Sequence, residues 1–129
     1  MVKGYILVEG IRVGARLEGL SLRLLKIERY EMATASPRQP PVWTTVEFEF
    51  EEGDAERVAA ALSEVISEKG GWYTNFTLDD ETFVIFADRI FRYRLDDHAG
   101  RAEAAAYGRS VGVPDTQLDW DDPRWSKQE

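Results

Sequence analysis

Thr82-Phe83-Val84-Ile85-Phe86 carries no charge, and every residue after Thr82 is apolar. In an extended strand, Phe83 and Ile85 point to one side and Val84 and Phe86 to the other. A strand apolar on both sides belongs in the middle of a sheet with both faces covered. Two short segments flank it, residues 72–77 and 90–94. The connections are Asp79-Asp80-Glu81 and Asp88-Arg89. Links this brief and polar predict an antiparallel three-strand meander.

Working outward, Asp97 is placed to cap a helix over residues 98–111, closed by Gly112 and Pro114. Gly100, Ala104 and Gly108 form a small-residue ridge along it, which suits close packing on a sheet. Upstream, Asp54 is placed to cap a helix whose apolar residues Ala55, Val58, Ala59, Leu62, Val65 and Ile66 recur at helical spacing up to Gly70-Gly71. Before that, residues 42–51 alternate strictly, with Val46, Phe48 and Phe50 on one side and Glu47, Glu49 and Glu51 on the other. Residues 20–32 predict a partner strand. Its apolar phase switches at Leu24-Leu25, the mark of a β-bulge. The loop over residues 33–41, with Pro37, Pro40 and Pro41, joins the two as a wide hairpin. Arg23, Lys26 and Arg29 then face the carboxylate row as a cross-strand charge ladder.

The predicted architecture is α+β, one domain over residues 1–129. Residues 20–112 form the core, an antiparallel sheet with two helices on one face. The order ββαββα is a permutation of the ferredoxin-like plait. Residues 1–19 supply an N-terminal strand or arm, and residues 113–129 an acidic tail in which Trp120 docks on the body. With both helices on one face, the opposite face of residues 82–86 needs the arm or a second copy, so a homodimer is expected.

The chain has 129 residues, 16 basic and 24 acidic, no cysteine and one histidine, His98. Without thiols there is no disulfide, thiolate zinc site, iron–sulfur cluster or cysteine nucleophile. One histidine cannot build a two- or three-histidine metal site within the chain. No metal and no cofactor are expected. Residues 1–41 hold 7 basic and 4 acidic side chains, while the rest of the chain carries the acidic surplus. The net charge of −8 argues against nucleic acid as a partner. Residues 82–86 share aromatic character with the RNA-stacking strand of RRM domains, but Asp80 and Glu81 stand where that strand has basic and glycine residues. No apolar run reaches the roughly 20 residues of a membrane helix. The opening nonapeptide, charged at Lys3 and Glu9, does not resemble a secretion signal, so no membrane and a cytoplasmic location are expected.

Asp79-Asp80-Glu81 and Asp96-Asp97-His98 are carboxylate clusters, but both sit where turns and caps need such residues. The strongest candidate ligand site combines Trp72, Tyr73, Asn75, Arg92 and Tyr93, whose rings, guanidinium and amide suit a small anionic or planar molecule. The competing description makes the rings part of the core and Arg92 a surface charge. The inventory leads to a non-enzymatic binding or interaction module that self-associates through its sheet face. The alternative is a small enzyme or ligand-binding domain with an aromatic and Arg-lined pocket.

Overall fold

A computed structural model describes residues 1–118 and 120. The strands are β1 (Val2–Leu7), β2 (Arg23–Glu31), β3 (Val42–Phe50), β4 (Thr74–Leu78), β5 (Glu81–Phe86) and β6 (Arg89–Arg94). Helix α1 (Ala55–Val65) lies between β3 and β4, and α2 (His98–Ser110) follows β6. The fold is α+β, and the strands form two antiparallel three-stranded sheets, ordered β1-β3-β2 and β4-β5-β6.

The N-terminal segment is a strand. β1 pairs with β3 along its whole length, from Val2 opposite Phe50 to Leu7 opposite Thr45. The two sheets meet where β1 runs beside β4. There the Thr74 hydroxyl donates to the Tyr5 carbonyl, and the Tyr5 hydroxyl donates to Asn75 Oδ1 at 2.9 Å. This pairing differs from the single sheet expected for a plait, because β1 occupies the edge of β3 that a continuous core sheet would need.

β5 is the central strand of its sheet, and the two helices lie on its opposite faces. Phe83 and Ile85 pack with Val58, Ala59 and Leu62 of α1. Val84 and Phe86 pack with Ala104 of α2 and with Tyr93, Val113 and Leu118. The expectation of two helices on one face is therefore corrected. The period of two that makes residues 82–86 apolar on both sides is satisfied by one helix per side, and α2 fills the place assigned to an arm or a second copy. The glycine ridge makes this packing close. A Cβ on Gly108 would lie 2.9 Å from the Leu118 side chain, and one on Gly100 would lie 2.7 Å from Tyr93 Cβ.

The main core spans both sheets under α1. A row of rings crosses it: Phe48 to Phe50 (6.1 Å between centroids), Phe50 to Phe76 (5.1 Å) and Phe76 to Phe83 (4.6 Å). Gly4 of β1 leaves room for them, since a Cβ there would come within 2.9 Å of the Phe48 ring.

Helix α1 starts one residue after Asp54, as the sequence predicts, but the Asp54 side chain pairs with Arg57 (3.2 Å) rather than capping the helix. The helix also ends at Val65, before Gly70-Gly71. β-branched Ile66 is extended and bridges Ile11, while Ser67 N–H donates to the Gly10 carbonyl. Helix α2 has the expected cap, with Asp97 Oδ1 accepting from Gly100 N at 2.9 Å. Trp120 docks as expected: its indole N–H donates to the Tyr93 hydroxyl at 2.6 Å. The remaining tail positions, 119 and 121–129, lie outside the described residues.

One polar atom inside α2's side of the sheet stands out. Thr82 is fully buried, and its hydroxyl has no hydrogen-bond partner among the described residues. An unsatisfied buried hydroxyl costs free energy that a methyl group does not. Thr82→Val is expected to raise the unfolding free energy by about 1 kcal/mol in urea titration, with an unchanged m-value.

Candidate functional site

The structure separates the five predicted ligand residues. Trp72 is buried in the main core, its ring 5.0 Å from that of Trp43. Tyr73 packs against Phe86 and Trp120, and its hydroxyl donates to the Gln117 carbonyl. Tyr93 is buried beside Trp120, and Asn75 accepts from Tyr5. Tyr73, Asn75 and Tyr93 therefore share α2's side of the sheet, and each side chain is engaged within the fold.

Arg92 lies on the other side. It is paired opposite Phe83, and its guanidinium stands over that ring at 4.4 Å. It also bonds Glu56 of α1 at 2.7 Å and Glu81 of β5 at 2.9 Å. The hydrogen bonds it donates, first to Glu81 and then to Glu56, hold the guanidinium pKa above its ordinary value. Alternation along β6 puts Arg92 and Tyr93 on opposite faces, so the five residues do not converge.

An aromatic and arginine-lined cleft does exist, next to these positions. It has a volume of about 390 Å³ and is lined by Trp72, Phe86, Asp88, Arg89, Glu68 and Tyr107, among others. Arg89 stands over Phe91 (4.8 Å) and Tyr107 (5.3 Å). Trp72 is the only one of the five predicted residues at its wall. Tyr107 was hidden in sequence by its place in an unremarkable helix, and Arg89 by its place in a turn. Glu68 and Asp88 bring negative charge to the same wall, which opposes an anionic occupant.

The carboxylate clusters act locally. Asp80 pairs with Arg94, Glu81 with Arg92, and Asp79 takes a left-handed turn conformation at φ 55°. Among the described residues, no group of three acidic or histidine side chains is arranged to hold a metal ion, and no helix is long and apolar enough to cross a membrane.

The most open surface belongs to β2. It pairs only with β3, and its other edge has no strand beside it among the described residues. Every residue of the nine except Tyr30 is exposed, including Leu24 (58 %) and Ile27 (60 %). Leu24 lies opposite Phe48 and Ile27 opposite Val46. Both therefore lie on the apolar face that α1 covers farther in, beyond the reach of the helix. The bulge falls at Leu25, where the pairing skips from Leu24–Phe48 to Lys26–Glu47. The charge ladder forms in part: Arg23 pairs with Glu49 (2.8 Å) and Lys26 with Glu47 (3.5 Å), while Arg29 donates to Thr44 instead. The phase switch signalled the bulge, but no feature of the sequence alone showed that the helices stop short of this strand.

Comparison with protein-family models, with curated proteins and with solved structures gives no match to this chain.

Proposed function

We propose that this protein is a non-enzymatic interaction module whose working surface is the outer edge of β2. The observation that carries the reading is a nine-residue edge strand with open backbone donors and acceptors, flanked by exposed Leu24 and Ile27. Such an edge is a template for a further strand, with main-chain hydrogen bonds giving affinity and side-chain pairs giving selectivity. Natural proteins usually block or cover edges of this length. The self-association expected from the sequence is thereby moved from the face of β5, which α2 covers, to the edge of β2. The cytoplasmic location expected from the sequence fits a cysteine-free chain.

The Arg89 cleft supports the alternative, a ligand-binding domain for a small planar molecule. Amide shift mapping separates the two. The probes are a strand-forming peptide with the sequence of Val42–Phe50, the natural neighbour of β2, and benzamide, a planar molecule without charge. The expected result is peptide-induced shifts confined to Arg23–Glu31 and no response to benzamide. Benzamide shifts at Trp72, Arg89 and Tyr107, with β2 silent to the peptide, would transfer the function to the cleft.

A further inference from the structure

We infer that the strand β2 accepts is the β2 of a second copy, in an antiparallel register centred on Ile27. The inference rests on the edge being an interaction surface and adds the identity of the partner.

Two copies of one strand can pair about a twofold axis only with one residue opposite itself. Beyond the bulge, β2 runs regularly as Lys26-Ile27-Glu28-Arg29-Tyr30-Glu31. Centring on Ile27, the strand's midpoint, sets Ile27 against Ile27 of the other copy. It also sets Lys26 against Glu28 on both sides of the axis. Both charge pairs lie on the sheet face where Lys26 already meets Glu47. The two Ile27 side chains meet on the other face, beside the exposed Leu24 of each copy. Centring on Lys26 or on Glu28 would instead place like charges directly opposite, which is unfavourable. Lysine on an edge strand commonly prevents pairing. Here Glu28, two residues along, complements it in one register and so selects that register.

The test uses two single charge reversals of the full chain. Glu28→Lys puts lysine opposite lysine in a homodimer; within one chain it removes the 3.7 Å contact of Glu28 with Lys26, which still has Glu47 as a partner. Lys26→Glu puts glutamate opposite glutamate. Mixed together, the two variants are fully complementary. Light scattering from micromolar to millimolar protein is expected to show a dimer for the wild type, about tenfold weaker association for each variant alone, and recovery in the equimolar mixture. Far-ultraviolet circular dichroism checks that each variant is folded. Because the chain has no cysteine, Ile27→Cys supplies a second readout. Opposed Cα atoms in an antiparallel pair lie about 4.5–5.5 Å apart, within disulfide range. This variant should oxidise to a covalent dimer far faster than Val13→Cys, whose site is 98 % exposed and next to Arg12, which is tied to the end of α1 rather than to β2. A wild type that stays monomeric, or a mixture that fails to recover, overturns the self-pairing. If the Val42–Phe50 peptide still shifts Arg23–Glu31 in that case, the edge remains an interaction surface for another partner.

Discussion

Gly71→Ala is expected to cost about 3 kcal/mol or more, enough to leave the variant largely unfolded at moderate temperature. Gly71 has φ +69°, a conformation that residues with a Cβ adopt at a penalty. The added Cβ would also press onto the Gly112 carbonyl, 2.8 Å from its carbon and 3.0 Å from Val113 N. Both obstacles are backbone, so no rotamer change relieves them. The contact joins the turn after α1 to the end of α2, and displacing it disturbs both helices at once. Gly112→Ala is the control. Gly112 also has positive φ, at +94°, but a Cβ there meets nothing within 4 Å. It should lose only the conformational part, about 1 kcal/mol. Equal losses for the two variants in thermal or urea unfolding would show that the close approach of Gly71 to Gly112 is not a fixed feature of the fold.

Phe86→Ala is expected to lower stability by about 3–5 kcal/mol, with the loss read as unfolding. Phe86 is 1 % exposed, and its ring meets those of Tyr107 (5.0 Å), Tyr73 (5.7 Å) and Phe91 (5.9 Å). Gly108 lies close beside it, so α2 has little freedom to collapse into the cavity. The variant also distinguishes two roles for this face. If α2 covers it, the loss is independent of protein concentration. If a second copy covered it, the loss would appear as dissociation and vary with concentration. Phe83→Ala, beneath α1 on the opposite face, should cost a similar amount, because each side of β5 is sealed by its own helix.

The contrast between these faces shows what was legible in the sequence. The alternation of residues 46–50, the phase switch at Leu24-Leu25, and the Asp97 cap are local signals, and each recurs in the structure; at the start of β3 the alternation fails, because Trp43, on the carboxylate side, is buried against Trp72. The double-sided character of residues 82–86 correctly announced a central strand with two covers. It did not say which elements supply them, since an apolar residue is equally content against a helix, an arm or another subunit. The end of α1 was misread for a related reason. Helical spacing continues to Ile66, but a bridge to Ile11, more than fifty residues earlier, takes that residue into an extended conformation. Long-range pairing overrides local periodicity.

The candidate site was less legible still. Trp72, Tyr73, Asn75, Arg92 and Tyr93 are close in sequence register, but alternation sends Arg92 away from Tyr73, Asn75 and Tyr93. Trp72 is drawn into a tilted ring contact with Trp43, 29 positions back along the chain. The opening of β2 depends on where α1 ends its cover, a property of the assembled layers with no local signature.

Pairing of copies along β2 has a distinct signature in amide-resolved hydrogen exchange across a concentration series. Amides of Arg23–Glu31 that bond β3 should exchange slowly throughout. Those that face outward should exchange fast in dilute protein and become protected as concentration rises. Outward amides that stay fast at every concentration, with new protection appearing around Trp72, Arg89 and Tyr107 or on α2, would show that β2 is not the surface through which the protein associates.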